Sequence, residues 1–398
     1  MLPSMADLVQ TVQGIIKEVR TKGDAALCAF SARFDGVKLT PNALRVPAAR
    51  LRAAERQVPA HFRKALQDCA ANIRAFALAE KKALTRNWMV KRGSVRVGQQ
   101  FRTVDSVGVY IPGGRYPYPS TVLMTIVPAL AAGVKRIAMV TPPKNLTPEV
   151  LAAASFAGCT ELYQIGGAGA IAALAYGTKT VKPVDLIVGP GNAYVTEAKR
   201  QVFGRVGIDS LAGPSEVVII ADRRTPVSYI LNDLLAQAEH DPDSHSVLLS
   251  PDASVIREVE RGLDPIIASR VELRKVKRIE DAFAAANALA PEHLEVLLPK
   301  AERYLPLIHH AGAIFLGPAT TAVLGDYSAG PSHVLPTSGS ARFASGLSVA
   351  TFMKRSSIIG FEGKPGERSA WEAALTMANT EGMKYHAQSL RARVASPK

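Results

Sequence analysis

Cysteine is scarce in this chain and never clustered. Cys28, Cys69 and Cys159 stand alone among 398 residues, with no C-x-x-C pair and no even set. That spacing excludes a disulfide framework and a thiolate metal site. It reads as reduced thiols of a cytoplasmic protein, in which any metal must be held by nitrogen and oxygen. Long apolar runs are missing too. The greasiest stretch, residues 121–134, is too short to cross a bilayer. The opening MLPSMADLVQTVQGIIKEVR has no apolar core before a small-residue cleavage site, which argues against a signal peptide. Neither a fixed-period repeat nor a low-complexity linker is present. Acidic residues are in deficit, 34 Asp and Glu against 48 Lys and Arg, for a formal net charge of +14. No zinc-finger spacing or aromatic–basic motif accompanies that charge. It therefore points to a solvated basic surface or an anionic ligand rather than to nucleic acid.

What is present is a globular mixture, 47% hydrophobic and 21% charged, long enough for two or three domains. Val12, Ile15, Ile16 and Val19 recur at helical spacing, and residues 48–79 are rich in Ala, Leu, Arg and Gln. The first hundred residues are accordingly expected to be helical. From Ser106 short β-branched runs alternate with helical stretches: SVGVYI, RIAMVT, LYQIG, DLIVG, EVVIIAD, SVLLS and IFLG. That alternation predicts an α/β fold with a largely parallel sheet. The last fifty residues are expected to return to helix, over 345–353, 368–378 and 383–393.

Three strand ends run through glycine into a helix. They are YIPGGRYPYPST from Tyr110, QIGGAGAIAALA from Gln164 and VGPGNAYVTEAK from Val188. Gly167, Gly169 and Ala172 fit G-x-G-x-x-A, with Asp185 18 residues past the first glycine. One such match describes a tight strand-to-helix turn as readily as a nucleotide fingerprint. Three elbows together favour a nucleotide or another anionic ligand at helix N-termini.

Several polar groupings carry chemistry. Thr225-Pro226 should open a helix with Ile230, Leu231, Leu234, Leu235 and Ala238 as its buried stripe. Gln237 and His240, three apart, are expected on the opposite face with Asp233, where such a pair places two donors on one metal. A histidine at a helix C-terminus also suits the helix dipole, so both readings stand at this point. Glu292 lies beside His293, a carboxylate to activate water next to an imidazole for base work near neutral pH. On an exposed turn the same pair would simply be solvated. Asp326 and His333 sit in the turn-rich segment GDYSAGPSHVLP, and Glu381 and His386 flank a helix start. An Asx turn, a packing histidine and a surface helix explain these as well.

Taken in order from about Ile15 to Arg393, the blocks SVGVYIPGG, VGPGNAYVTEAKRQV, AGPSEVVIIAD, LLAQAEHDPDS, APEHLEV and GDYSAGPSHVLPT, with the His386 helix, resemble the histidinol dehydrogenase family. These are zinc- and NAD-dependent enzymes of histidine biosynthesis. The resemblance implies one Zn2+ per subunit on Gln237, His240, Asp326 and His386, the last supplied by the partner of a homodimer. It makes Glu292 and His293 the catalytic pair, and it places Ser215, His333 and Glu381 with the metal ligands around the substrate. Tyr110, Asn192 and the position of Gly169 would contact NAD+. The implied reaction is oxidation of L-histidinol to L-histidine through L-histidinaldehyde with two NAD+, in the cytoplasm, without nucleic-acid or membrane partners.

The resemblance further implies two Rossmann-like α/β domains, one inserted in the other, with a small helical tail in a domain-swapped dimer. Residues 1–107 with 216–348 would form the first, 108–215 the insert on the dinucleotide side, and 349–398 the tail. The chain departs from the family at Gly169, where glutamine is usual, and at Ser332, where asparagine is common. The N-terminus and residues 261–282 are also shorter. These departures leave open a paralogue acting on another amino alcohol or a sulfonated diol. A non-catalytic binding protein should have lost a ligand or the Glu292–His293 pair, and neither is lost.

Overall fold

The computed structural model describes residues 4–113, 117–240, 242–362 and 368–394. Residues 114–116 of the first glycine elbow and Asp241 of the LLAQAEHDPDS block lie outside the described residues, as do 363–367 and 395–398 of the tail. The chain divides into two compact units, Met1–Lys81 with Thr103–Phe352, and Lys82–Arg102 with Met353–Lys398.

The larger unit is mixed α/β and carries two sheets. The first has six strands in the order Arg45–Val46, Glu161–Gln164, Arg136–Thr141, Ser106–Tyr110, Leu186–Val188, Gly207–Ile208. All its pairings are parallel except that of the short edge strand Arg45–Val46. The chain builds outward from Ser106–Tyr110 in one direction and then in the other. That reversal leaves a crevice beyond the carboxyl end of the central strand. Helices Met5–Lys22 and Asp24–Phe30 pack on this sheet's covering helix Gly167–Tyr176, with Val12, Val19, Leu27, Ala170 and Ile171 in one buried cluster.

The second sheet repeats the plan with five parallel strands: Val271–Lys275, His245–Ser250, Glu216–Ala221, His293–Leu297, Ala313–Leu316. Strands covered on both faces read as continuous apolar runs, which is why EVVIIA and its neighbours are buried almost throughout. The shortened segment 261–282 still supplies the one-turn helix Pro265–Ala268 and the edge strand Val271–Lys275.

Helix Pro119–Ala132 is buried along nearly its whole length and carries Pro128 in its interior. Proline has no N–H, so the carbonyl of Met124, four residues earlier, loses its helical partner. The Ser332 hydroxyl donates to that carbonyl at 3.0 Å and fixes the loop leading into His333. Ser332→Ala should therefore cost about 1–3 kcal/mol of stability by orphaning a buried carbonyl, measured by chemical denaturation.

The smaller unit departs from the helical expectation. Trp88–Arg92 and Val95–Thr103 form an antiparallel hairpin turning at Gly93, where φ is +61°, and Met353–Phe361 adds a third strand. Helices Arg368–Thr380 and Lys384–Val394 complete the unit and pack on each other. The helix expected over 345–353 is reduced to a single turn, Val349–Phe352, that feeds straight into the strand. A two-residue turn between alternating residues is a hairpin signal that the helix-rich composition on either side obscures. Among the described residues no helix is long and apolar enough to cross a membrane.

Candidate active site

The three positions implicated in dinucleotide contact meet at one cavity. Tyr110, Gly169 and Asn192 line a space of about 910 Å³ at the carboxyl end of the first sheet, together with Arg33 and Lys144. Asn192 caps the Ala193–Val202 helix, its side-chain oxygen accepting from the N–H of Tyr194 at 3.1 Å and of Val195 at 3.2 Å. Its amide NH2 remains as a donor. The Tyr110 hydroxyl accepts the Gly167 N–H at 3.1 Å, and burial pushes its pKa up to about 12. Gly169 lies close against Phe30: a Cβ there would stand 3.1 Å from its ring. A longer side chain at that position thus requires Phe30 to yield.

The second cluster forms at the amino edge of the other sheet. Glu216 and His293 begin adjacent parallel strands, and the backbone of Glu216 holds both members of the pair. Its N–H donates to Glu292 Oε2 at 2.9 Å, and its carbonyl accepts from His293 Nδ1 at 3.1 Å. A carbonyl can only accept, so Nδ1 carries the proton and Nε2 keeps its lone pair. Both side chains are buried, at 6% exposure each. The solvated-turn reading of this pair is thereby excluded. Burial holds the His293 pKa below its ordinary value, against the opposing pull of the Asp326 carboxylate 3.9 Å from Nε2. Burial likewise raises Glu292 to about 8, with the charges of Asp326 and Glu216 adding to it. The Glu216 N–H and the Ser215 hydroxyl work the other way.

Gln237 and His240 come from the Val227–Ala238 helix and the turn that ends it. Thr225 does not cap this helix; its hydroxyl donates to the Leu297 carbonyl, and Pro226 occupies the cap. Gln237 is buried rather than set on an outer polar face. It follows Ile230 by seven residues and Leu234 by three, so it continues their buried row. Its Nε2 has no partner among the described residues, and a half-turn of the amide would present the oxygen there instead. His240 is exposed and donates Nδ1–H to the Ala236 carbonyl at 3.1 Å, which leaves Nε2 as a donor atom. A ligating histidine is commonly oriented by such a bond. Asp326 lies on the short helix Ala322–Tyr327, its pKa pushed up by burial and drawn back by His293 and His240.

This donor set fits a zinc ion: an unpartnered buried amide, a tethered imidazole and a carboxylate, all nitrogen and oxygen. It is one ligand short of four. Among the described residues no group of three or more His, Cys, Asp and Glu is placed to hold a metal by itself. Glu381 and His386 belong to the smaller unit, where both are exposed.

His333 is already committed at both nitrogens. Nδ1 donates to the Asp326 carbonyl at 2.9 Å, and Nε2 accepts from the Thr121 hydroxyl at 3.2 Å. Burial drops its pKa to about 4, so it stays neutral. Sequence reasoning missed Glu216, Thr121 and Glu295. Glu216 could have been found at the head of EVVIIAD, whereas Thr121 carries no local signal.

A switch-point crevice on one sheet and a buried Glu–His pair beside a carboxylate and an imidazole on another are the working parts of an oxidoreductase. The histidinol dehydrogenase profile matches residues 3–394. Histidinol dehydrogenase of Thermosynechococcus vestitus is 46% identical over 98% of this chain and 94% of its own length. That of Caulobacter vibrioides is 45% identical over 99% and 94%. The crystal structure of histidinol dehydrogenase from Elizabethkingia anophelis superposes with a TM-score of 0.92 at 34% identity, covering 99% of this chain and 94% of that one. The chain belongs to the histidinol dehydrogenase family.

Proposed function

We propose that this chain oxidises L-histidinol to L-histidine through L-histidinaldehyde, with two NAD+ and one zinc per subunit, as the final steps of histidine biosynthesis in the cytoplasm. The observation that carries the reading is the buried Glu292–His293 pair, both set by the Glu216 backbone, beside His240 and Asp326, with the unpartnered Gln237 on the helix that leads to His240. Gln237, His240 and Asp326 with a fourth ligand would hold the zinc, which would supply a positive charge toward the nitrogen atoms of the substrate. NAD+ in the crevice lined by Tyr110, Gly169 and Asn192 supplies the hydride acceptor for both oxidations.

The chain's own residues handle protons and water. His293 takes the alcohol proton at Nε2, because its Nδ1–H is fixed on the Glu216 carbonyl and burial keeps the ring neutral. Glu292, buried beside it, directs water onto the aldehyde carbon before the second oxidation. Ser215 holds the Glu292 carboxyl. His333, with both nitrogens bonded, holds the Asp326 backbone rather than moving a proton.

The same reading makes the active molecule a domain-swapped homodimer in which residues 349–398 reach the neighbour and bring His386 as fourth ligand, with Glu381 at the substrate. Residues 216–348 carry the catalytic side, and 108–215, with the helices Met5–Lys22 and Asp24–Phe30 packed on their sheet, the dinucleotide side. The exposure of both Glu381 and His386 on the smaller unit supports this, since it leaves their side chains open to a neighbouring subunit. His240→Ala and His386→Ala proteins, each inactive alone, should recover activity in mixed dimers; confirmed heterodimers without activity would refute the shared site.

NADH formation from L-histidinol should be abolished by chelation and restored by zinc. Zinc-loaded protein without turnover on histidinol would instead favour a paralogue acting on another amino alcohol or a sulfonated diol.

A further inference from the structure

Two acids, one buried and one half-buried, take no part in the chemistry above. Glu295, fully buried, lies on the His293–Leu297 strand two residues past the base. Asp233 lies on the Val227–Ala238 helix one turn before Gln237. Their carboxyl groups hydrogen-bond each other, which two carboxyls do only when one of them keeps a proton. Glu295 Oε2 meets no N–H or hydroxyl donor of any other residue among those described.

The remaining bonds of the pair converge on one element. Glu295 Oε1 accepts the N–H of Ala322, and the Thr321 side chain bonds Asp233 while its oxygen accepts the N–H of Val323 at 3.2 Å. Ala322 and Val323 open the six-residue helix Ala322–Tyr327, whose last turn carries Asp326. So short a helix does not hold itself in place. Gly325 lets it lie directly on Phe315, where a Cβ would come within 2.8 Å of the ring. The anchors at its first turn then set where its last turn points.

We propose that Asp233 and Glu295 form a proton-sharing clamp that ties the metal-donor helix, the base-bearing strand and the Ala322–Tyr327 helix at one point, and thereby positions Asp326 opposite His293 and His240. Both are positioning residues, since they act on Asp326 through Thr321 and Ala322. The inference rests on the functional reading above in taking Asp326 as a ligand. Burial and the neighbouring charge of Asp233 push Glu295 well above the ordinary carboxyl range.

The test compares Glu295→Gln with Glu295→Leu. The glutamine keeps an acceptor for Ala322 and donates an N–H to Asp233 without needing a shared proton. The leucine fills the space with no polar atom, a replacement that buried charged groups often tolerate. Two quantities are read: zinc affinity by chelator competition, and hydrogen exchange of residues 318–328 in metal-free protein. The glutamine variant should match the parent within about threefold on both. The leucine variant should weaken zinc about 10–100-fold and speed exchange of the Ala322 and Val323 amides on the order of tenfold. Thr321→Val, which leaves both acids in place, should shift both readings the same way and serves if the leucine variant does not fold.

Leucine or valine variants that bind zinc like the parent, or a glutamine variant as impaired as the leucine one, would overturn the clamp. If the parent itself binds no zinc, the metal reading falls, and unchanged exchange in both variants would independently sink the clamp.

Discussion

Replacing His293 with asparagine should lower L-histidinol turnover by about 10²–10⁴-fold, the usual contribution of a positioned general base, while zinc affinity stays at the parental level. An asparagine amide still reaches the Glu216 carbonyl that His293 Nδ1 engages now, at 3.1 Å, but it brings no basic nitrogen to the substrate. The Glu216 contact makes the expected effect large. With the proton fixed on Nδ1, every His293 ring has its lone pair on the reactive side, and burial keeps that ring unprotonated at neutral pH. Turnover and metal content measured on the same preparation check this, and a variant as fast as the parent would remove His293 from the mechanism.

Glu292→Gln should separate the two oxidations. Glutamine keeps an acceptor for the Glu216 N–H but can neither take up nor release a proton toward water, as a carboxyl whose pKa lies at about 8 can. Alcohol oxidation should therefore persist and stop at the aldehyde, giving one NADH per histidinol and a severe loss when the aldehyde is the substrate. Equal impairment of the alcohol and aldehyde steps would contradict this division of labour.

The same substitution carries a stability signature in metal-free protein. The Glu292 pKa lies at about 8 in the fold against an ordinary 4.5. Between those values the folded state binds the proton and the unfolded chain has lost it, so stability falls as pH rises through that window. Glu292→Gln removes this slope. Its melting temperature should match the parent near the acid end and exceed it at the alkaline end, as scanning calorimetry at several pH values would register.

Much of the scaffold was legible because buried parallel strands announce themselves. RIAMVT is the strand Arg136–Thr141, and SVGVYI contains Ser106–Tyr110. Its glycine elbows fall where the crevice forms, and Tyr110, Asn192 and Gly169 line that one cavity. The third strand of the small unit, Met353–Phe361, escaped notice because its exposed, mixed sequence gives no periodic signal.

The site was legible in composition but not in placement. Gln237 looked solvent-facing because it is polar, although its spacing from Ile230 and Leu234 already put it on the buried row. Glu292 and His293 looked like a possible surface turn. Their burial comes from the parallel pairing of His293–Leu297 with Glu216–Ala221, 76 residues apart at the bond from Glu216 N–H to Glu292. No local pattern reports a contact of that range. His333 read as either a packing or a substrate-contacting histidine, and both its nitrogens are engaged by partners that only the fold supplies, Thr121 and the Asp326 carbonyl.

In the proposed function one zinc-dependent site carries L-histidinol through both oxidations. Counting NADH formed against L-histidinol consumed, with L-histidine quantified in the same vessel, tests it most directly. Zinc-loaded protein should yield two NADH and one L-histidine per histidinol. One NADH with accumulating aldehyde in the unmodified protein, or no consumption of histidinol at all, would contradict it.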